Sequence, residues 1–173
     1  MSKSYFEESQ KFTQWWLWML LLAGLVLFIG IASAGVYIQI IKGTPFGNNP
    51  MSDTGVIIFF VISIVFGLAM IFIMKSFHLE TKVDRLGISY RFLPLIRKWH
   101  TVYRQDISEW SVVKECVFHY GIHYGLNSKT LNINGDTRLL LILASGKKLY
   151  LGTQKPEELS QAMQKLFDRQ PVN

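Results

Sequence analysis

Residues 15–41 read WWLWMLLLAGLVLFIGIASAGVYIQII and residues 55–74 read GVIIFFVISIVFGLAMIFIM, and neither run contains a charged residue. As helices the two runs measure about 40 Å and about 30 Å, enough to cross the roughly 30 Å hydrocarbon core of a bilayer. Pro45 and Pro50 in the connecting residues 42–54 interrupt any continuous helix. The pattern therefore predicts a transmembrane hairpin with spans at 15–41 and 55–77.

The charged residues lie almost entirely outside this hairpin. They make up 17% of the chain, against roughly 25% in an ordinary soluble protein. Residues 75–173 hold 15 Lys+Arg and 9 Asp+Glu, and 15 − 9 = +6 is the whole net charge. About 95 residues remain outside the membrane, enough for one small domain. The basic excess is too weak to indicate a nucleic-acid partner, and the single cysteine excludes an intramolecular disulfide.

Lysine and arginine next to the spans predict the orientation. The loop carries Lys42 alone, whereas the chain after the second span carries four basic residues, Lys75, Lys82, Arg85 and Arg91. The positive-inside rule places the C-terminal domain in the cytoplasm, and two crossings return the N-terminal segment, residues 1–14, to the same side. Ser4 and Glu7 have the spacing of a capping box, which predicts a short helix from about Tyr5.

The small residues of the first span support two interpretations. Ala32-Ser33-Ala34 resembles the cleavage site of a signal peptide, but the preceding segment has no net positive charge and the apolar run continues to Ile41. The preferred interpretation is that small side chains let helices pack closely, with candidates Gly30, Ala34, Ser63 and Gly67. Both interpretations place the C-terminal domain in the cytoplasm.

After residue 78 the chain changes to short alternating apolar and polar segments separated by turn residues, the pattern of β-strands. Seven strands are predicted, at 79–84, 88–92, 99–104, 107–114, 131–134, 137–143 and 147–152. Tight turns are expected at 85–87, 135–136 and 145–146. A helix starting at Pro156 follows, with one apolar face formed by Leu159, Ala162, Met163, Leu166 and Phe167. We therefore expect an α+β membrane protein whose hairpin precedes a seven-stranded antiparallel barrel capped by a C-terminal helix, at 78–168, with a short tail at 169–173.

Two stretches carry a resemblance to a known family. Residues 134–159, NGDTRLLLILASGKKLYLGTQKPEEL, and residues 90–107, YRFLPLIRKWHTVYRQDI, resemble the bacterial pleckstrin-homology (PH) domain proteins with two N-terminal membrane helices. The likeness covers about residues 79–167 and the hairpin, and its most specific part is GTQKPEEL. It implies a PH-like barrel at the bacterial inner membrane. Residues 119–123 depart from the Gly-Gly-Trp-Gly-Ile-Arg segment often found in that group, so no role is transferred to that loop.

The sequence contains no recognisable catalytic motif, which predicts a non-enzyme without a cofactor. Cys116, His119 and His123 are residue types that bind zinc, but on a strand Cys116 points away from the two histidines, and a fourth ligand is lacking nearby. We therefore interpret them as packing or solvated residues and predict no metal site.

Basic residues of the domain are the candidates for contact with anionic lipid headgroups, since a Lys or Arg near such a surface contributes about 1 kcal/mol. They are Lys82, Arg85, Arg91, Arg97, Lys98 and Arg104. The alternative is a merely solvated surface. In eukaryotic PH domains phosphoinositides are often held by a run of basic residues in the first hairpin. Ser89 stands where the second of these is expected, so specific inositol-lipid recognition is disfavoured.

These features lead to a functional hypothesis. The protein is expected to be a membrane-anchored, non-catalytic binding or scaffold module that presents its cytoplasmic domain to a protein partner or to anionic membrane lipids. The alternative is a subunit of a larger membrane assembly, including a homo-oligomer, in which the hairpin is the interaction element. The sequence leaves the partner and the oligomeric state open.

Overall fold

The computed structural model describes residues 4–114 and 120–168. The chain divides into two compact units. One comprises residues 13–75, and the other joins the segment that ends at Phe12 with the chain from Ser76 onward. We call the first unit the helical hairpin and the second the sheet domain.

The helical hairpin consists of two long apolar helices. Helix α1 spans Trp15–Gly35 and continues as a π-helical segment over Val36–Ile41, and α2 spans Asp53–Ser76. Both helices are long and apolar enough to cross a membrane, and in the most apolar stretch of each only 17% of the residues are buried. Core helices of soluble proteins are mostly buried. The apolar surface of this pair is therefore largely exposed among the described residues, which is typical of helices that face lipid.

The loop of the hairpin is organised by Gln39. Its side-chain amide donates hydrogen bonds to the Met51 carbonyl oxygen at 2.7 Å and to Asp53 Oδ1 at 2.9 Å. Its amide oxygen accepts a hydrogen bond from the backbone N–H of Phe46 at 3.4 Å. One polar side chain near the end of the first helix thus holds both the loop and the start of α2.

The sheet domain contains nine strands in its described residues. They are β1 Phe6–Lys11, β2 His78–Val83, β3 Gly87–Leu93, β4 Ile96–Tyr103, β5 Ile107–Lys114, β6 Gly121–Tyr124, β7 Ser128–Asn132, β8 Thr137–Leu143 and β9 Lys148–Gly152. Strands β1-β2-β3-β4 form one sheet, and the second has the order β5-β8-β9-β7-β6. A single 3₁₀ turn, Arg104–Asp106, leads from the first sheet to the second.

The expected N-terminal helix near Tyr5 is wrong, because this segment is strand β1. It pairs antiparallel with β2 along its whole length, from Phe6 opposite Val83 to Lys11 opposite His78. The Ser4 hydroxyl does not cap a helix but donates to the carbonyl oxygens of Phe6 and Val83. Pairing with a distant strand has overridden the local capping signal.

Strand β1 also reaches the start of the C-terminal helix, α3 (Pro156–Asp168). The Glu8 carboxylate accepts hydrogen bonds from the Thr153 hydroxyl at 2.8 Å and from the backbone N–H of Gln154 at 2.7 Å. The Thr153 oxygen in turn accepts one from the backbone N–H of Lys155 at 3.0 Å. The buried Gln10 amide donates to the Gly152 carbonyl oxygen. The GTQKPEEL stretch is therefore fixed by side chains from the N-terminal segment.

The sheets differ from the expected seven-stranded antiparallel barrel in three respects. Strands β1 and β6 are additional, and the described strands form two sheets rather than one closed barrel. The strand that begins at Ser128 does not form a hairpin with β8. Instead β9 lies between them and pairs in parallel with β7, from Ser128 opposite Lys148 to Leu131 opposite Leu151. The turn at Gly135 is present in the chain but joins strands that are not neighbours.

Side chains from both sheets and from one face of α3 form the core of the sheet domain. The face of α3 is the predicted one, with Leu159, Ala162, Met163 and Leu166 buried. They pack with fully buried residues of both sheets, among them Leu79, Ile88, Phe92, Leu131, Leu139, Leu141 and Leu151. Gly152 permits close approach in this core, since an added Cβ would clash with Asn132 Oδ1. The expected α+β organisation with a C-terminal helix is thus confirmed.

Candidate binding surfaces

Two of the six basic candidates carry counter-charges on the outer face of the four-stranded sheet. Lys82 Nζ lies 2.7 Å from Glu7 Oε1, and Arg91 donates to Glu80 Oε2 from Nη2 at 2.6 Å and from Nε at 2.7 Å. Each pair follows from the register, because these residues are direct cross-strand neighbours. The hydrogen bond from Lys82 lowers the pKa of Glu7 below its usual 4.5.

Trp99 completes this outer face. The Arg91 guanidinium lies 4.6 Å from the centre of the Trp99 ring, and Lys82 Nζ lies 6.0 Å from it. Glu7, Glu80, Lys82 and Trp99 line a recess of about 390 Å³. Since both cations are paired with carboxylates and arranged around the ring, they are poorly placed to bind a phosphate. Their ion pairs instead link β1 to β2 and β2 to β3.

Two other candidates, Arg85 and Arg104, line a different cavity. It has a volume of about 550 Å³ and is formed by Arg85, Leu86, Tyr103, Arg104, Gln105, Ile107 and Phe167. Arg104 Nη2 donates to the Phe167 carbonyl oxygen at 2.9 Å, and its guanidinium lies 5.5 Å from the Phe167 ring centre. A cation that satisfies a carbonyl in the last turn stabilises a helix end. Arg104 is therefore a helix-capping residue as well as a lining residue.

The remaining pair, Arg97 and Lys98, is exposed on β4 just after the turn that joins it to β3. Leu95 in that turn is 66% exposed. Ser89, which stands in place of a second basic residue, lies 2.9 Å from the Thr101 hydroxyl and is buried. The six candidates thus do not form one site, because they divide into three pairs in different places.

The two ends of the four-stranded sheet are distinct. At one end Lys11, His78 and Leu93 lie opposite one another, and the chain continues from this end into the segments that lead to α1 and from α2. We call it the tether end. At the other, the far end, Gly87 pairs with Tyr103. Arg97 and Lys98 follow Ile96, the first residue of β4, at the tether end, whereas Arg85 and Arg104 lie at the far end.

The helix-packing candidates also divide. Ser63 and Gly67 on α2 are buried, and an added Cβ on Gly67 would lie 3.3 Å from Ile29 Cδ1. On α1 the buried small residues are Ala32 and Gly35, whereas Ala34 is half-buried and Gly30 is exposed with open space beside it. Gly30 lines an apolar groove of about 440 Å³ between the helices.

The possible metal ligands are only partly covered by the structure. Cys116 and His119 lie outside the described residues. His123 is on β6, exposed, with Nε2 2.9 Å from the Tyr120 carbonyl oxygen. In the described ranges, 4–114 and 120–168, no group of three or more His, Cys, Asp or Glu is arranged to hold a metal ion.

Sequence reasoning missed the residues that neutralise Lys82 and Arg91. Glu80 has a local signal, because it lies two residues before Lys82 and therefore on the same face of a predicted strand. Glu7 lies on β1, which the sequence does not predict as a strand, so its pairing with Lys82 could not be predicted. Comparison of the chain with protein-family models and with curated proteins gives no match. The functional argument therefore rests on the geometry and on the residues themselves.

Proposed function

We propose that this protein is a membrane-anchored, non-catalytic binding module whose helical hairpin holds a PH-like domain at the cytoplasmic face of the bacterial inner membrane. The domain presents its surface to anionic lipid headgroups or to a protein partner. The resemblance in residues 90–107 and 134–159 supports the PH-like and bacterial parts of this proposal, together with the two sheets and the C-terminal helix.

The observation that carries the proposal is the pairing of β1 with β2. Strand β1 precedes the hairpin and β2 follows it, yet they form six consecutive cross-strand pairs. A strand cannot pair across a bilayer, so both flanks of the hairpin belong on the same side of the membrane. Two crossings satisfy this requirement. Cleavage after Ala34 would detach β1 from its domain, which argues against the signal-peptide interpretation.

The direction of insertion follows from charge. The loop between the helices contributes Lys42, whereas the chain from residue 75 onward carries 15 Lys+Arg against 9 Asp+Glu. Lysine and arginine next to short membrane spans favour the cytoplasmic side. Both termini are therefore assigned to the cytoplasm.

Cysteine labelling in intact cells tests this topology. Cys116 is first replaced by serine, and single cysteines are placed at Ser9, Asn48 and Ser145, all of which are exposed. A membrane-impermeant maleimide should label position 48 in intact spheroplasts and positions 9 and 145 only after permeabilisation. Labelling of positions 9 and 145 from opposite sides contradicts the proposal.

The binding role is tested by comparing the full chain with a chain that ends at Phe77, both purified from membranes in mild detergent. The proposal expects proteins or anionic lipids that accompany the full chain to be lost from the shortened one. An unchanged set of associated molecules contradicts a role for the sheet domain.

A second candidate function, a subunit of a larger assembly joined through the hairpin, is favoured by the groove beside Gly30. Gly30→Leu should fill this groove and lower the native mass of such an assembly. Gly24→Leu is the matched control, because Gly24 also lies on α1 with open space beside it but is outside the lining of this groove. A native mass unaffected by Gly30→Leu rejects this second candidate.

A further inference from the structure

The six basic candidates are not equally placed to contact lipid headgroups, because the topology of the first sheet separates them. The chain reaches β2 immediately after the hairpin, since α2 ends at Ser76 and β2 begins at His78. Two residues span at most about 7 Å. The tether end of the sheet is thus held within a short distance of the point where α2 ends.

The turn between β3 and β4 is at this same end. Leu93 lies opposite His78, so the turn residues 94–95 extend past the end of the β2–β3 ladder. Neighbouring strands are about 4.8 Å apart, which places the turn one strand away from the tether. The headgroup layer of each leaflet is about 5–7 Å deep. A sheet anchored by its neighbouring strand therefore has this turn within reach of the headgroups.

The composition of the turn matches that environment. Leu95 is 66% exposed, and Arg97 and Lys98 follow it with exposed side chains. Residues 93–100, LPLIRKWH, contain no acidic residue. A single exposed leucine is ordinary on a protein surface. An exposed leucine next to two cations that have no carboxylate partner among the described residues, at the tether end, is chemically suited to contact an anionic membrane surface.

We infer that the β3–β4 turn, through Leu95, Arg97 and Lys98, is a lipid-contact site that inserts into the anionic headgroup layer of the leaflet to which the domain is tethered. The inference rests on the proposed function and names its lipid-facing element. It excludes Lys82 and Arg91, which are paired with carboxylates, and Arg85 and Arg104, which lie at the far end.

The far end supplies matched controls. Leu86, in the β2–β3 turn, is 62% exposed and so resembles Leu95 in type and exposure. Lys147 and Lys148 are an exposed basic pair like Arg97 and Lys98. Their turn adjoins the far end, because the Ala144 N–H donates to the Asp106 carbonyl oxygen at 2.9 Å and the Arg104 N–H donates to that of Leu86 at 3.0 Å.

The experiment uses the full chain in liposomes of phosphatidylcholine alone or with 30% phosphatidylglycerol, a composition chosen to supply negative charge. In a Cys116→Ser background, an environment-sensitive fluorophore is attached at Leu95→Cys or at Leu86→Cys. Lipids carrying a quencher near the headgroup report contact. The label at position 95 should be blue-shifted and quenched, more strongly with the anionic lipid, while the label at position 86 should be unaffected.

Charge removal gives the second measurement. Arg97→Gln with Lys98→Gln should weaken the anionic contact of the label at position 95 by about fivefold per charge, whereas Lys147→Gln with Lys148→Gln should not. Equal quenching at positions 95 and 86, or a blue shift at position 95 without quenching by lipid, overturns the inference; the second result places the turn against protein.

Resistance of the same samples to alkaline extraction is recorded first. Extraction from the liposomes counts against the proposed function itself, whereas stable insertion with an unquenched position 95 counts against the lipid-contact site alone.

Discussion

The carboxylate of Glu8 accepts a hydrogen bond of 2.8 Å from the hydroxyl of Thr153, although 145 positions separate the two residues in the chain. Glu8 is on the strand before the first apolar helix, and Thr153 precedes the last helix. The contact makes the N-terminal segment a structural part of the domain formed by the C-terminal half.

A soluble sheet domain should form when residues 13–75 are replaced by a short Gly-Ser-Asn turn. Lys11 and His78 are already cross-strand partners, so a short turn can join β1 to β2 without moving either strand. The fusion should give a cooperative thermal transition measured by circular dichroism. Residues 76–173 alone, without β1, should lack it, and an equally cooperative transition in that fragment contradicts the role of β1.

In this fusion, Glu8→Gln should lower the free energy of unfolding by about 1–2 kcal/mol, because the buried junction at Thr153 loses a charge-assisted hydrogen bond. Ser9→Ala is the adjacent control, because Ser9 is exposed on the outward face of β1. Urea unfolding should also show that Glu8→Gln and Thr153→Val together cost less than the sum of the single changes. Additive effects indicate that the two side chains do not interact.

The Glu7–Lys82 pair should make a small pH-dependent contribution to stability. The folded-state pKa of Glu7 is lowered by its hydrogen bond from Lys82, so the contribution is present above the ordinary value of 4.5 and is lost as the pH falls through the lower folded value. At pH 7 the free energy of unfolding of the fusion should exceed that of its Glu7→Gln variant by less than about 1 kcal/mol, since the pair is exposed. Urea unfolding at pH 7 and pH 3 measures the difference. A larger difference in the free energy of unfolding at pH 3 than at pH 7 contradicts this prediction.

Arg91 and Arg97 should respond differently to alanine substitution. Arg91 makes two hydrogen bonds to Glu80 and lies over Trp99, so Arg91→Ala should lower the unfolding free energy by about 1–2 kcal/mol. Arg97 is exposed, and Arg97→Ala should change it by less than about 0.5 kcal/mol. Thermal unfolding of the two variants of the fusion tests this order. Equal shifts count against a structural role for Arg91.

Several elements could be predicted from the sequence because their signals are local. The uncharged runs predict the two long helices, and the spacing of Leu159, Met163 and Leu166 predicts the buried face of α3. Alternating residues predict seven of the strands, although β4 begins at Ile96 rather than at residue 99 and β7 spans Ser128–Asn132 rather than 131–134. In each case the residues that determine the element are its neighbours along the chain.

The candidate site could be predicted only as a list of basic residues. Their residue type indicates attraction to anionic lipid, but nothing local shows that Lys82 and Arg91 face Glu7 and Glu80. The division into paired, far-end and tether-end cations depends on strand register. Register is determined by partners from other parts of the chain.

The sequence by itself therefore determines an apolar hairpin followed by an α+β domain, because hydrophobic periodicity depends only on residues that are close together in the chain. Only the tertiary structure decides that β1 belongs to that domain and that β7 pairs in parallel with β9. The inward side chains of β1 are Phe6, Glu8 and Gln10, and only the first is apolar. The hydrogen-bonding groups that make the other two suitable for the interior come from Gly152, Thr153 and Gln154, which adjoin β1 only after the chain has folded.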